Sequence, residues 1–372
     1  MSTLTVDLSR LLAAGSFGRK RLLAERAAAA EAVAVRQARV GERPMFRATS
    51  PELLSRATAL GAEERERGRL VVAGGPAQVR AVTALAAVLA PDAPIDTLLA
   101  PDAARVSRLA GRDVTWLVLE GAVWSDALAE HLVTGDHRVL VSGEGAFDAP
   151  PGGAWVEDPT ECASPLGPTA LLVAAFGGVD VAAVRHGAEA AGVVAVRPAI
   201  MENPAASLAI ALTRAASFLN CGARVHATAD AGLLPLARWF EGAWSSAATG
   251  LRLGDGPVGC ADDTDLVEAI VSGPRDRLVL TWHAPYTALP GAPRVDPADA
   301  LTDALDEVQI PSLGLRLARR DAWSVGGALG LFGETVAIGA ALLGRSGPGG
   351  EGEGAWRRAV AARSVDDAVE GQ

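Results

Sequence analysis

The sequence contains few cysteines, no long apolar run and no targeting segment. Its three cysteines, Cys162, Cys221 and Cys260, have no metal-ligand spacing. No continuous apolar stretch reaches about 18 residues, the length that a membrane span requires, and the N-terminus lacks a signal-peptide core. These absences predict a soluble cytoplasmic protein with reduced, buried thiols. They indicate neither a membrane partner nor a bound metal or cofactor.

Lysine and aromatic residues are also scarce. Lys20 is the only lysine among 34 basic residues, and aromatic residues make up 4% of the chain. The formal net charge is −10, which excludes a general affinity for nucleic acid or for an anionic membrane. An anionic ligand would have to bind through local backbone amides and arginines, against the overall field.

Apolar residues make up 49% of the 372 residues, which is enough for large cores. At roughly 150 residues per domain, the length predicts two domains. From residue 69 onward, short continuous apolar runs alternate with helical segments, as is typical of a parallel sheet with helices on both faces. We therefore predict two doubly wound α/β domains, 67–195 and 196–346. A helical extension, 1–66, precedes them, and a flexible tail with a short helix, 347–372, follows.

Eight segments are predicted strands. Five lie in the first domain: RLVVAGG, IDTLLA, VTWLVLE, RVLVSGEG and AWVED. Three lie in the second domain: ARVHA, RLVLTWHA and IPSLGLRLA. The last helix, AWSVGGALGLFGETVAIGAALLG, is rich in glycine, which permits close packing between domains or subunits.

The segment RVHATADAGLLPLARWFEGAWSSAATG predicts a strand, a tight turn and a helix of about four turns. Asp230 stands where an N-cap residue would accept hydrogen bonds from the first free helix amides. Leu233, Leu236, Phe240 and Trp244 recur at helical spacing and predict one buried face.

The order and spacing of these segments resemble the glucose-6-phosphate isomerase family, which is built from two sugar-isomerase (SIS) domains. The resemblance covers residues 66–345 and is closest to the compact form fused to transaldolases in some bacteria. VVAGGPAQV is similar to the family's first Gly-Gly-Ser-Ser loop, and RVLVSGEGAF to the strand before its Ser-Lys-Ser-Gly-Thr-Thr phosphate loop. SPLGPTALLVAAFGGVDV resembles the helix after the Gly-Gly-Arg-Phe-Ser motif, and GLLPLARWFEGAWSSAATG the helix that ends in Glu-Ser-Thr-Gly-Lys. The resemblance implies two SIS-like domains, a sugar-phosphate ligand and a homodimer.

The positions that carry the family's chemistry differ in this chain. The glutamate base falls on Ser246, and a serine hydroxyl has no useful basicity near neutral pH without an activating partner. The arginine of Gly-Gly-Arg-Phe-Ser falls near Cys162. The phosphate-loop lysine falls on Gly143 or Glu144, where a carboxylate would repel a phosphate dianion.

The resemblance and these differences leave two hypotheses. The first is a degenerate sugar-phosphate-binding protein, or a partner subunit of a sugar-phosphate enzyme. The alternative is an active glucose-6-phosphate/fructose-6-phosphate isomerase with a rebuilt site.

A rebuilt site would draw on three candidate catalytic residues, His226, His283 and Glu241. His226 lies on a predicted strand and could act as a base near neutral pH, although a structural histidine at a strand end, hydrogen-bonded to the backbone, is the favoured interpretation. His283 lies at the carboxyl end of a predicted strand, where ligands of open α/β sheets bind, and neither interpretation is favoured for it. Glu241 is expected to face solvent or to pair with Arg238, three residues earlier.

The candidate sugar-phosphate-binding positions are Gly74, Gly75, Ser142, Gly143 and Gly145. Glycine-rich turns after strands expose backbone amides to an anion, but a plain turn is the favoured alternative at each position. One further acid, Glu334, lies on the apolar final helix and needs a partner if it is buried.

Overall fold

The structure is a computed structural model. It describes residues 4–13, 17–38, 49–99, 103–109, 113–120, 125–134, 137–144, 154–247, 256–285 and 296–343. The predicted tail and its short helix lie outside the described residues. The chain divides into two compact units. The first-sheet unit contains Gly41–Ala86 and Asp92–Val179, and the second-sheet unit contains Met1–Val40, Ala87–Pro91 and Asp180–Ser346.

The described helices and strands alternate along most of the chain. Those up to residue 176 are β1 (Leu4–Asp7), α1 (Ser9–Ala13), α2 (Arg19–Ala24), α3 (Arg26–Ala38), α4 (Pro51–Arg65), β2 (Arg69–Ala73), α5 (Pro76–Leu89), β3 (Ile95–Leu98), α6 (Ala103–Leu109), β4 (Val114–Leu119), α7 (Ser125–Thr134), β5 (Arg138–Gly143), β6 (Ala154–Glu157) and α8 (Pro168–Phe176). The remainder are α9 (Val181–Ala195), α10 (Pro204–Phe218), β7 (Ala223–Thr228), α11 (Leu234–Ala247), β8 (Val258–Cys260), α12 (Thr264–Val271), β9 (Arg277–His283), α13 (Pro297–Glu307), β10 (Ser312–Leu317) and α14 (Ala322–Leu342).

The first-sheet unit is built on a five-stranded sheet in the order β3-β2-β4-β5-β6. All of its strand pairs are parallel. Leu70 and Val72 pack into one core cluster, whereas Val71 and Ala73 pack into another. Successive residues of a strand point to opposite faces, so each face of the sheet has its own core. The predicted parallel sheet with helices on both faces is confirmed.

Helix α4 belongs to the first-sheet unit and is not part of a separate extension. Its Glu64 is fully buried. The hydroxyl of Thr115 donates a hydrogen bond of 2.8 Å to Glu64, and the guanidinium of Arg138 lies 2.8 Å from the same carboxylate. Because Thr115 and Arg138 are strand residues, these bonds attach α4 to β4 and β5. Local helix propensity shows that α4 is a helix but not what it packs against.

The second-sheet unit is built on a sheet in the order β1-β10-β9-β7-β8. β1 pairs antiparallel with β10, with Leu4 opposite Leu317, and the other pairs are parallel. The strands β1 and β8 were not predicted, and the prediction of an all-helical extension is wrong at β1. Both are short edge strands of four and three residues. Their extended conformation depends on the neighbouring strand rather than on a local apolar pattern.

Helix α14 is the core helix of the second-sheet unit. Among the described helices it is the one long and apolar enough to cross a membrane by length and composition, with a mean hydropathy of 1.6. However, 78% of the apolar 18-residue segment of this helix is buried, which is typical of a core helix in a folded domain. Its Glu334 is paired with Arg36 of α3. Burial raises the pKa of Glu334, and the charge of Arg36 opposes this shift.

Helix α9 packs closely on α14. A Cβ atom on Gly187 would overlap with the carbonyl oxygen of Trp323, so the two backbones touch at this point. The predicted domain boundary at residue 195 placed α9 in the first domain. In the structure α9 belongs to the second-sheet unit. The glycines of α14 likewise pack inside this unit, since Gly339 faces the indole of Trp244 on α11.

Candidate functional site

Arg224, His226 and Glu241 form a buried polar network in the second-sheet unit. Arg224 and His226 lie two residues apart on β7 and therefore point to the same face of the sheet. Nη2 of Arg224 lies 2.9 Å from Oε1 of Glu241, and Nε2 of His226 lies 2.6 Å from Oε2. The exposed fractions are 1% for Arg224, 0% for His226 and 7% for Glu241. The structure therefore brings together two of the three predicted catalytic residues, in the protein interior.

Trp282 fixes the tautomer of His226. The indole nitrogen can only donate a hydrogen bond, and it lies 3.1 Å from Nδ1 of His226. Nδ1 is therefore the acceptor, so Nε2 carries the proton and donates it to Glu241. A general base needs an accessible lone pair, and the lone pair of His226 is already bound by Trp282. The partners of the His226 ring are thus the side chains of Trp282 and Glu241, and not the backbone that was expected.

Glu241 is held as a carboxylate by its neighbours. Burial alone would raise its pKa, but the hydrogen bonds from His226 and Arg224 and the positive charge of Arg224 outweigh burial and lower the pKa to about 2. The hydroxyl of Ser245 also donates to Glu241, at 3.3 Å. The expectation that Glu241 faces solvent or pairs with Arg238 is wrong. Its true partner, Arg224, lies 17 residues earlier on the adjacent strand, out of reach of a helix-spacing argument.

Helix α11 presents Ser246 one residue before its end. The predicted apolar face is confirmed, because Leu233, Leu236, Phe240 and Trp244 are all buried. Asp230 accepts a hydrogen bond of 2.7 Å from Gly232, and it caps the 3-10 turn that leads into the helix. Ser246 lies on the exposed side of α11. Ser246, the position predicted to correspond to the family's base, thus carries a hydroxyl at the surface of the unit.

The predicted phosphate-binding turns of the first-sheet unit carry an acid. A Cβ atom on Gly143 would overlap with the carboxylate of Glu120, which follows the neighbouring strand β4. The backbone amide of Gly75 donates to the side-chain oxygen of Gln78 at 3.3 Å. Gly74 is packed against the side chain of Leu119, and Gly145 lies outside the described residues. A side-chain oxygen therefore lies against each of Gly75 and Gly143.

Ser142 points into the interior of the first-sheet unit. Its hydroxyl lies 2.5 Å from Oγ1 of Thr169 and 3.5 Å from Sγ of Cys162. All three side chains are buried. Burial raises the pKa of the Cys162 thiol, and the charge of Asp158 raises it further, so the thiol is a packing group and not a thiolate nucleophile.

His283 lies apart from the other two predicted catalytic residues. It ends β9, and its Nδ1 lies 3.4 Å from Oδ1 of Asp299 and 3.7 Å from Oδ2 of Asp296, both near the start of α13. Among the described residues no hydrogen bond joins it to His226 or Glu241. The sequence analysis missed both aspartates, because Asp296 is 13 residues away and nothing in the spacing links them.

Comparison with known proteins shows the fold. No protein-family model matches the sequence, and no curated protein sequence matches it. A hypothetical protein from Thermus thermophilus is similar in structure, with a TM-score of 0.72 and 17% identity over 97% of this chain and 99% of that chain. A glucose-6-phosphate isomerase from Chlamydia trachomatis has a TM-score of 0.69 and 14% identity over 92% of this chain and 78% of that chain. The chain therefore has the two-sheet, SIS-like fold found in a sugar-phosphate isomerase.

Proposed function

We propose that this chain is a non-catalytic relative of sugar-phosphate isomerases, which acts in the cytoplasm as a partner subunit of a sugar-phosphate enzyme and binds the sugar phosphate itself only weakly. The observation that carries the proposal is the pairing of Glu241 with both His226 and Arg224 inside the second-sheet unit. Sugar phosphates are proposed as the ligand class because a glucose-6-phosphate isomerase has a similar fold.

Aldose–ketose isomerisation requires a base that moves a proton between two adjacent carbons of the opened sugar. Glu241 has a low pKa and is bound by two positively polarised partners, so it is a weak base as well as a buried one. Ser246 is exposed, but it is a hydroxyl group. These two facts support the loss of the proton transfer, and with it the loss of isomerase activity.

Weak phosphate binding follows from the acid at the phosphate turns. A phosphate dianion binds through backbone amides and cations, and a neighbouring carboxylate repels it. Glu120 lies against Gly143, and Gln78 accepts the amide hydrogen of Gly75. Both oxygens would have to move before a phosphate could use these turns.

A role as a partner subunit is supported by exposed apolar side chains. Val193 and Val196 near the end of α9, and Met201 soon after it, are exposed by 66%, 42% and 50%. Contiguous exposed apolar patches mark protein–protein contacts, and we infer that these three side chains, which fall within nine residues of the chain, belong to such a patch. A homodimer and a complex with a sugar-phosphate enzyme would both use such a surface.

The experiment is an isomerase assay combined with ligand binding. The purified chain is tested for conversion of fructose 6-phosphate to glucose 6-phosphate, and for thermal stabilisation by each sugar phosphate and by inorganic phosphate. We expect no turnover and only small shifts at millimolar ligand. A turnover number of about 1 per second or more, as ordinary enzymes have, would contradict the proposal and support the active isomerase. Sedimentation of the chain alone, and with candidate sugar-phosphate enzymes, distinguishes the homodimer from the mixed complex.

A further inference from the structure

Three ligand-type side chains converge at the carboxyl end of β9. They are His283, the last residue of β9, Asp296, the N-cap of α13, and Asp299 in the first turn of that helix. One nitrogen or oxygen atom from each lies within 4.8 Å of the other two. The carboxyl ends of parallel strands are where open α/β sheets bind their ligands.

The tautomer of His283 follows from Thr281. The Thr281 hydroxyl has one hydrogen, which it donates to the carbonyl oxygen of Leu313 at 3.3 Å. Oγ1 of Thr281 also lies 3.0 Å from Nε2 of His283. With its hydrogen donated to Leu313, the hydroxyl oxygen accepts this second bond, and Nε2 then carries the imidazole proton. Nδ1 is left with a lone pair.

That lone pair points at two acids. Only 3% of His283 is exposed, and Nδ1 has no hydrogen-bond partner. The nearest carboxylate oxygens are those of Asp299 at 3.4 Å and Asp296 at 3.7 Å. The imidazole is buried, whereas 13% of the Asp296 side chain and 46% of the Asp299 side chain are exposed. Three electron-pair donors that face one another repel each other unless a cation lies between them.

The cation can be a proton on Nδ1 or a metal ion. Asp296 and Asp299 carry two negative charges beside the imidazole, and Arg316 offsets one of them. A bound cation would offset the other.

We propose that His283, Asp296 and Asp299 bind a divalent transition-metal cation of the Zn²⁺ type, with Nδ1 as the nitrogen ligand. In a tetrahedral Zn²⁺ site with bonds of about 2.0–2.1 Å, two ligand atoms are about 3.3 Å apart. The two nitrogen–oxygen separations, 3.4 and 3.7 Å, are close to this value. An imidazole with carboxylates favours such an ion over Mg²⁺ or Ca²⁺, which prefer oxygen ligands alone. Three protein ligands leave a fourth position for water or for an oxygen atom of a ligand.

Two neighbours act as positioning residues. Thr281 keeps the proton on Nε2, as hydrogen-bond partners of metal-binding histidines commonly do. Nη2 of Arg316 lies 2.8 Å from Oδ1 of Asp299 and holds this carboxylate beside the imidazole. The proposal is independent of whether the chain has isomerase activity.

Metal binding is tested on the purified full-length chain after removal of metal with a chelator. Titration with Zn²⁺ is followed by calorimetry, and Co²⁺ is added separately as a spectroscopic probe. We expect one equivalent of Zn²⁺ to bind and to raise the melting temperature, and Co²⁺ to give visible absorption without thiolate charge-transfer bands. Mg²⁺ at the same concentration is expected to have no effect.

The variants separate loss of the site from loss of the fold. Asp296→Asn keeps an N-cap for α13, and it should weaken Zn²⁺ binding at least tenfold while the chain stays folded. Asp299→Asn and His283→Gln should do the same, whereas His186→Ala, at an exposed histidine of α9, should bind as the parent does. Absence of stoichiometric Zn²⁺ binding by the parent would overturn the proposal, and so would binding that Asp296→Asn and Asp299→Asn leave unchanged.

Discussion

Glu241 on α11 and Arg224 on β7 form an ion pair inside the second-sheet unit, with Nη2 of Arg224 2.9 Å from Oε1 of Glu241. Nε of Arg224 approaches the other carboxylate oxygen at 3.3 Å, so the guanidinium spans both oxygens of the acid. The pair joins the helix to the sheet beneath it. We expect it to contribute to the stability of α11 and to its position on the sheet.

Replacing Glu241 should therefore lower the stability of the folded chain. Glu241→Gln leaves a buried guanidinium without its counter-charge, which typically costs about 3–5 kcal/mol of unfolding free energy. Urea unfolding of the parent and the variant measures the difference. Arg238→Ala, three residues away on the exposed side of α11, is the matched control and should change stability by less than about 0.5 kcal/mol. Equal midpoints for the parent and Glu241→Gln would show that the pair is not formed.

The same acid predicts a dependence of stability on pH. The pKa of Glu241 is lowered from 4.5 to about 2 in the folded chain, so the ionised form stabilises the fold. This stabilisation is complete above the unfolded-state pKa of 4.5, and it is lost as the pH falls towards 2. By linkage it amounts to about 3 kcal/mol.

Unfolding free energy measured from about pH 6 to about pH 2 tests this dependence. Asp7 and Asp321 also have lowered pKa values, so some loss of stability in acid is common to every variant. The difference between the parent and Glu241→Gln isolates the contribution of Glu241. We expect that difference to shrink as the pH falls, and a constant difference would assign the acid sensitivity to other groups.

The fold could be predicted from the sequence wherever burial is continuous. All six residues of β4, VTWLVL, are buried, and such a run marks a strand covered on both faces without knowledge of its neighbours. β1 lies at an edge and has only one fully buried residue. Its conformation is set by its pairing with β10, far away at the other end of the chain, and no local pattern carries that information.

The candidate sites could be predicted only in part, because they depend on pairing across elements. Arg224 and His226 alternate with the buried apolar residues Val225 and Ala227 on an interior strand. That alternation in the sequence indicates a buried polar network, although the sequence does not identify Glu241 as the partner. For His283, the position at a strand end was predicted from the sequence, but the two aspartates are placed by the start of α13. Tertiary structure supplies that placement.

A carboxylate placed at Ser246 tests the correspondence between α11 and the isomerase base helix. Ser246→Glu puts a base on the exposed side of the helix, where it should leave the melting temperature nearly unchanged. Since a positioned general base contributes about 10²–10⁴-fold to a rate, and the phosphate turns carry an acid, we expect a gain of at most about 10²-fold over background. The measurement is fructose 6-phosphate conversion. Ser246→Gln is the control of equal size, and equal rates for both variants would mean that this position does not face the substrate.

The packing of α9 on α14 can be tested with two glycines of one helix. Gly187 touches the carbonyl oxygen of Trp323, whereas a Cβ atom on Gly192 would meet nothing within 4 Å. Gly187→Ala must push the two helices apart, and such overpacking costs about 1–3 kcal/mol. Gly192→Ala gains helix propensity without a clash and should stabilise the chain by about 0.5–1 kcal/mol. Thermal or urea unfolding measures the change in unfolding free energy for each variant. A loss of stability in Gly187→Ala together with a gain in Gly192→Ala would confirm that α9 packs on α14 through Gly187. A gain of stability in Gly187→Ala would contradict the close approach of the two helices.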